Sequence, residues 1–473
     1  MINKLSEKFR TLWGIEKEFR LKVLFLSLTF LLMSGCLSIW RPLKVSIFAK
    51  MVGADLVPNA KIFGLFILIP LVIIYSKLVD ILRRHQLLYC FTIFHGAIGL
   101  IFYYLLSHPV YGVANTQTNP ARLTGWFFYF FMECFNAFLS TTFWSFADSI
   151  SKPKDAKNYY GFLVCGSKIG SIITAGLLYM IFTSNTTIKE SVLLPNALLV
   201  GSLLLFGAAL SIYFLMKKVP GYYMHGYEAV YQLEKKIEKK KHSKKTAFIQ
   251  SAKNLIDGLI IIIKNPYVFG IFSLVVFYEM IIVIFDYRVL KTASATHDTA
   301  GSLTAFYAFY YLMMNLVGLG ITLFGTTPLL RVLGIRSSLF IFPVLSIILL
   351  ITTFVFPTAN MFIITLIILR ALNYALNHPT REVLYIPTTK NIKFKAKAWT
   401  DAFGSRIAKS FGSVFNLSIK TATPMFAIIT SLSFSLGLLG FWLIIVYFLG
   451  KTLQNAVDNK KVIGDGSEKT DEA

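Results

Sequence analysis

The sequence predicts an all-α integral membrane protein of about twelve transmembrane helices in two related bundles of six. Three observations carry that prediction. Of 473 residues, 55% are hydrophobic and only 15% charged, whereas a soluble chain carries about 25% charged residues. A hydrocarbon core about 30 Å thick needs about 20 apolar helical residues, and runs of that size occur at 22–40, 62–79, 87–106, 124–147, 159–184, 192–216, 267–287, 302–325, 337–357, 361–378, 399–419 and 425–449. The string Gly166-Ser167-Lys168-Ile169-Gly170 returns as Gly404-Ser405-Arg406-Ile407-Ala408, and each copy follows a lysine-rich loop, Lys152 to Lys157 and Lys390 to Lys397. A repeat that includes both string and loop points to two related halves.

The segments follow in order. Residues 1–21 are polar and basic and lead into an apolar run without a small-residue cleavage site, so the first span is expected to be retained. Residues 22–216 form the first six-helix bundle and 266–450 the second. Between them, 217–265 is a polar linker that carries Lys235-Lys236 and Lys239-Lys240-Lys241, then a segment, Thr246 to Lys264, of amphipathic character suited to the membrane surface. Residues 451–473 are short and polar and predict a disordered tail. Basic residues concentrate in alternate loops, at Arg83-Arg84, Lys152/Lys154/Lys157, Arg331/Arg336 and Lys390/Lys393/Lys395/Lys397, while the other loops hold isolated Arg122, Lys189 and Lys420. By the positive-inside rule both termini face the cytoplasm. The formal charge of +24 is thereby explained as orientation, and nucleic acid is not an expected partner. The short leader leaves little room for an organelle transit peptide and favours a bacterial inner membrane. Cys36, Cys90, Cys134 and Cys165 sit in apolar runs without metal or disulfide spacing and read as reduced small hydrophobes.

Ionisable residues inside a span cost several kcal/mol unless they meet a partner or water, which makes them functional candidates. Span one ends in Trp40-Arg41-Pro42-Leu43-Lys44; span four holds Glu133; span five Lys168; span seven Glu279 and a terminal Asp286-Tyr287-Arg288; span ten Arg370; span eleven Arg406 and Lys409. Spans three, six, eight, nine and twelve have no acidic or basic residue in their interiors. In paired six-helix bundles of the major-facilitator type, the third and sixth helix of each half face lipid and the first and fourth line a central cavity. All four lipid-facing spans are charge-free, which supports a transporter with a midplane site.

Arg41 and Lys44, like Arg406 and Lys409, are three apart and share a helix face; Glu279 and Asp286, seven apart, share one too. The expected cavity sets these cations, with Lys168 and Arg370, against Glu133, Glu279 and Asp286. Excess positive charge suits a polyanion such as a nucleotide, whose phosphates Arg grips bidentately and Lys meets as a point charge. Against this, Arg41, Arg288 and Lys44 near span ends could snorkel to the interface, and Glu133 with Lys168 could be a structural ion pair. Gly161, Gly166 and Gly170 read as sites of close helix packing.

Several fragments resemble the non-mitochondrial ATP/ADP translocases, the nucleotide transporters of intracellular bacteria and plastids. They are Arg41-Pro42-Leu43-Lys44, Ser76-Lys77-Leu78-Val79-Asp80-Ile81-Leu82, Glu133 ahead of Phe143-Trp144-Ser145-Phe146-Ala147, Tyr385-Ile386-Pro387, and the basic segment that leads to Arg406 and Lys409. The resemblance implies a facilitator-like fold, nucleotide exchange or uptake by alternating access, and a transport role for the matching Lys44, Glu133, Asp286 and Lys409. The chain departs from the family pattern at Asp148, Lys168, Glu279 and Asn373, and carries Asp286 where the family has Glu. ATP/ADP exchange is the leading expectation. Proton-coupled uptake of a nucleotide or another phosphorylated anion, with Glu279 as the protonatable group, is the alternative, and a transporter-derived sensor or scaffold the third. No phosphate loop, dinucleotide fingerprint or zinc spacing is present. Neither enzymatic activity nor a cofactor or metal is expected. The expected partners are a nucleotide and the lipid bilayer, with the chain a monomer.

Overall fold

Inside a bilayer every backbone polar group must be satisfied within its own segment, so an apolar chain of this length is driven into helices. A computed structural model describes residues 17–151, 153–184, 188–220, 258–322, 327–389, 392, 396–459 and 461–464. Every regular element among them is helical: α1 (Lys17–Phe48), α2 (Val57–Ile81), α3 (Arg84–Ser107), α4 (Leu123–Ser149), α5 (Pro153–Ser184), α6 (Glu190–Lys218), α7 (Pro266–Thr296), α8 (Ala300–Ile321), α9 (Thr327–Val355), α10 (Ala359–Leu384), α11 (397–418) and α12 (Pro424–Asp458). Nine stretches among the described residues are long and apolar enough to cross a membrane, and the first runs through both α1 and α2. The aromatic-rich α4, interrupted by Glu133 and Asn136, and the doubly cationic α11 are not among the nine. The lysine run at 235–241 and most of the expected surface helix lie outside the described residues, as does 465–473.

Two helices depart from the expected boundaries in ways that matter. α1 continues to Phe48, so Arg41 and Lys44 lie inside a continuous helix rather than at a span end. α7 continues to Thr296, which likewise places Arg288 well inside, with its Nε donating to Ser431 Oγ at 3.2 Å. The expected disordered tail from 451 is corrected in part. α12 extends to Asp458, and Ile463, only 5% exposed, docks by backbone hydrogen bonds on Pro387 O (2.8 Å) and from Thr389 N (3.2 Å). An apolar side chain with a place to bury held this part of the tail.

The chain divides into two compact units. The first comprises Met1–Ala54, Phe66–Lys241 and His297–Leu312; the second comprises Asp55–Leu65, His242–Thr296 and Met313–Ala473. Thus the opening turns of α2 and α8 each belong to a different unit from the rest of the helix.

In the first unit, small residues let α1 approach α5. Gly166 faces Ser27 O, Gly170 faces Leu31 O, Ser34 and Ser167 hydroxyls are 2.7 Å apart, and Thr174 Oγ1 donates to Gly35 O at 3.0 Å. Close approach of this kind drives helix association where apolar burial from water cannot. Gly161 does not take part, since nothing lies within 4 Å of where its Cβ would be. Trp40 fills the space left by Gly99 and Gly201, with its indole N–H donating to Leu198 O at 3.2 Å. In the second unit, Gly412 meets Met280 O and Val283, Asn416 Nδ2 donates to Val283 O at 3.1 Å, and Trp442 packs on Phe342. Tyr267 OH reaches Leu384 O at 2.9 Å and ties α7 to α10.

Two glycine-to-alanine substitutions should therefore move stability in opposite directions. Gly170→Ala pushes a methyl into the α1 backbone and should destabilise by about 1–3 kcal/mol, whereas Gly161→Ala enters open space and should stabilise by up to about 1 kcal/mol through helix propensity. Thermal melts of the two purified variants in detergent check both signs.

Candidate functional site

The first unit gathers its intramembrane charges around α1. Pro42 lacks a backbone donor and so removes one helical hydrogen bond beside Arg41, a disruption that membrane helices tolerate. Arg41 and Lys44 both turn toward α4, where Glu133 and Asn136 are also three apart and share a face. Lys44 Nζ donates to Glu133 Oε2 at 2.7 Å, and Arg41 Nη2 donates to Asn136 Oδ1 at 2.6 Å. Aromatic faces complete the set: Lys44 Nζ lies 4.9 Å from the Tyr129 ring centre and the Arg41 guanidinium 5.9 Å from that of Tyr311, within cation–π range. Lys168 on α5 is an electrostatic neighbour of Arg41. Glu133 thus forms an ion pair with Lys44 that joins α1 to α4.

The second unit has two carboxylate-centred pairs on α7. Asp286 Oδ2 accepts from Arg370 Nη2 at 2.6 Å and also faces Lys61 Nζ at 3.9 Å. One helix turn pair earlier, Glu279 Oε2 faces Lys409 Nζ at 3.8 Å. Arg406 lies one turn before Lys409 on α11 and is half-buried. The two carboxylates that share a face of α7 therefore reach different partners, Asp286 toward α10 and Glu279 toward α11.

Local backbone structure positions these cations. α10 is α-helical over Ala359–Leu372, passes through a π turn at Asn373–Asn377 and resumes as an α-helix at His378–Leu384. The π turn immediately precedes Pro379, whose missing N–H cannot serve an ordinary helical bond, and Asn377 Nδ2 bridges the turn to Asn373 Oδ1 at 2.8 Å. α11 has a second π turn at Thr400–Gly404, directly ahead of Arg406. π turns of this kind occur frequently at functional sites. In the first unit α4 and α5 run without one, and a π turn at Ala49–Gly53 follows α1.

Two other departures from the family pattern have visible partners. Asp148 accepts from Tyr160 OH, and Asn373 supports the π turn. Lys397, expected as an orientation-setting loop lysine, is at the start of α11 and pairs with Glu382.

A profile of the TLC ATP/ADP transporter family matches residues 1–369 and 361–453. The chain belongs to this family. It is 23% identical over 461 residues to ADP,ATP carrier protein 4 of Rickettsia bellii, covering 88% of this chain and 86% of the relative. It is 24% identical over 518 residues to ADP,ATP carrier protein 1 of Chlamydia pneumoniae, covering 96% of each. Among solved structures, that of a D-xylose-proton symporter superposes with a TM-score of 0.58 at 14% identity, over 94% of this chain and 98% of the other. The fold is therefore that of a major-facilitator-like transporter, and the chain is a multi-pass membrane protein of the TLC family.

Sequence reasoning missed Lys61, Asn136 and the aromatic partners. Lys61 fell one residue ahead of the expected second span, but α2 starts at Val57 and carries it inside. Asn136 had a legible signal, its three-residue spacing from Glu133.

The Lys44–Glu133 pair yields a stability prediction. Removing one partner of a desolvated ion pair is strongly destabilising, by about 3–5 kcal/mol when fully buried, whereas replacing both with apolar groups is often neutral. Side-chain exposures of 15% and 20% reduce that figure here. Lys44→Met should lower the melting temperature of detergent-solubilised protein, and adding Glu133→Leu should restore most of the loss.

Proposed function

We propose that the protein exchanges ATP for ADP across a bacterial inner membrane by alternating access, with both termini in the cytoplasm. The observation that carries the reading is the set of cations held on carboxylates: Lys44 on Glu133, Arg370 on Asp286 and Lys409 on Glu279. Each pair keeps a cation charged inside a membrane protein at modest desolvation cost while leaving it exchangeable. A nucleotide's phosphates compete with the carboxylate for the same cation, and the carboxylate takes the cation back when the nucleotide departs. The cation therefore always has a partner, in the loaded and the empty protein alike.

Arg41, Lys44 and Lys168 form the phosphate-binding group of the first unit, and Arg370, Arg406 and Lys409 that of the second. Arg supplies planar, two-toothed contacts and Lys an adaptable point charge. Glu133, Asp286 and Glu279 hold the charge balance. The ADP,ATP carrier proteins of Rickettsia and Chlamydia support this choice of substrate. ATP carries about one more negative charge than ADP, so one-for-one exchange moves charge and responds to membrane potential.

A second reading is proton-coupled uptake through Glu279. It is favoured by the length of the Glu279–Lys409 contact, 3.8 Å against 2.6 Å and 2.7 Å for the other two pairs, which leaves this carboxylate the least closely held of the three.

Uptake of labelled ATP into liposomes containing the purified protein separates the two readings. Exchange requires ADP inside the liposomes and survives a proton ionophore. Uptake into empty liposomes, driven by an imposed proton gradient and lost in Glu279→Gln, would replace exchange by symport. Lys409→Ala should reduce uptake at least about a hundredfold, as expected when a charged contact worth about 3 kcal/mol in the loaded state is lost. Full uptake by folded Lys409→Ala protein would remove Lys409 from the site.

A further inference from the structure

Within the second unit, the start of α2 and the turn before it, Ala54–Leu56, are attached to α7 by charge. Asp55 accepts from Tyr287 OH at 3.3 Å and pairs with Lys291 at 3.5 Å. Six residues on, inside α2, Lys61 Nζ reaches Asp286 Oδ2 at 3.9 Å. The same oxygen accepts from Arg370 at 2.6 Å. One carboxylate oxygen thus has two cations at unequal distance, one from α10 and one from α2. Of the three contacts, only this one passes through a residue of the proposed phosphate-binding set.

The inequality has a physical consequence. While Arg370 holds Asp286 closely, the carboxylate charge is largely compensated and its pull on Lys61 is weak. If Arg370 turns to a phosphate, Asp286 is left with a full charge in a low-dielectric setting, where attraction for a nearby cation rises steeply. Lys61, already at the edge of contact, is the cation positioned to answer it.

We infer that Lys61 is a positioning residue that takes over Asp286 when Arg370 engages the substrate's phosphate, so that nucleotide occupancy tightens the hold of α2 on α7. The inference rests on the proposed role of Arg370 as a phosphate ligand. It gives Lys61 a task that a simple ligand lacks. Lys61 acts through Asp286 on a helix end, and so converts binding into a closing movement that the loaded protein makes more readily than the empty one.

The test reads the attachment directly. Cysteines replace Asp55 and Lys291 in a background where Cys36, Cys90, Cys134 and Cys165 are alanine, and a short bismaleimide reports how often the two positions meet. With that pair removed, Lys61 is the ionic tie that remains among the three contacts. ADP should raise the cross-linking yield about threefold or more, and Lys61→Gln should abolish the rise while Lys61→Arg preserves it. In transport, Lys61→Gln should lower maximal exchange about tenfold with nucleotide affinity kept within about threefold, the pattern of a lost step after binding. An equal loss of affinity and turnover would make Lys61 an ordinary phosphate ligand and overturn the inference. So would a nucleotide response unchanged by Lys61→Gln.

A nucleotide-free arm keeps this test apart from the proposed function. Arg370→Gln leaves Asp286 to Lys61 without any substrate, so cross-linking should rise in that variant and fall again when Lys61→Gln is added. An unchanged yield in Arg370→Gln overturns the competition between the two cations. A rise there, together with no ADP effect in the unmodified protein, would place the failure with the substrate instead.

Discussion

The constraint on which this structure turns is that a charge carried inside a membrane protein must be paired at every moment. An isolated ion in a low-dielectric interior is prohibitively unstable, and a paired one becomes tolerable only when the partner is near and well aligned. Lys44–Glu133, Arg370–Asp286 and Lys409–Glu279 set carboxylate and cation on different helices: α1 with α4, α7 with α10, and α7 with α11. Helix packing and charge pairing are therefore one problem. The seam of small residues between α1 and α5, and the glycine that admits Trp40 against α6, fix the rotation of α1 that directs Arg41 and Lys44 toward α4.

The two halves solve the problem with reversed polarity. In the first unit the cation stands on the first helix and the carboxylate on the fourth, as Lys44 and Glu133. In the second the carboxylate stands on the first helix of the half and the cation on the fourth, as Asp286 and Arg370. The sequence repeat records the same inversion. The step that carries Gly166 onto Gly404 carries Lys168 onto Arg406, Arg41 onto Glu279, and Met132, next to Glu133, onto Arg370. Each half thereby pairs a cation with a carboxylate across its own helices and keeps an excess of positive charge.

The fold and the identity of the charged residues were readable because both follow from composition along a single segment. An apolar run with a lone Glu133 or Lys168 announces a helix and a candidate at once. Pairing was not readable, because it depends on helix rotation. In the sequence Glu133 could be set against Lys168, and only the packing of α1 brings Lys44 to it. Boundaries hid the rest. Arg41 and Lys44 sit next to Pro42, which reads as a helix end in sequence, yet α1 continues past it to Phe48. Lys61 stood just outside an apolar run that the helix in fact precedes by several residues. The tail failed for a different reason: a single apolar residue, Ile463, in a polar segment carries little signal until a groove at Pro387–Thr389 is there to bury it.

Two π turns flank cations of the second unit, and a third, at Ala49–Gly53, follows α1 in the first. A π turn holds an extra residue that an ordinary helix would not, and the helix can lose or shift it with a rotation of everything beyond. In α10 the turn begins just after Arg370, and in α11 it ends just before Arg406. Both cations are therefore at the junction between a regular helix and a segment that can change its winding. Between them, Lys397 pairs with Glu382, and Ile463 docks on Pro387 and Thr389. A change in the hold on Arg370 or Arg406 would be absorbed first at these turns. In the first unit α4 and α5 are regular, and the comparable place is the π turn at Ala49–Gly53, so movement coupled to Lys44 should be absorbed at the end of α1.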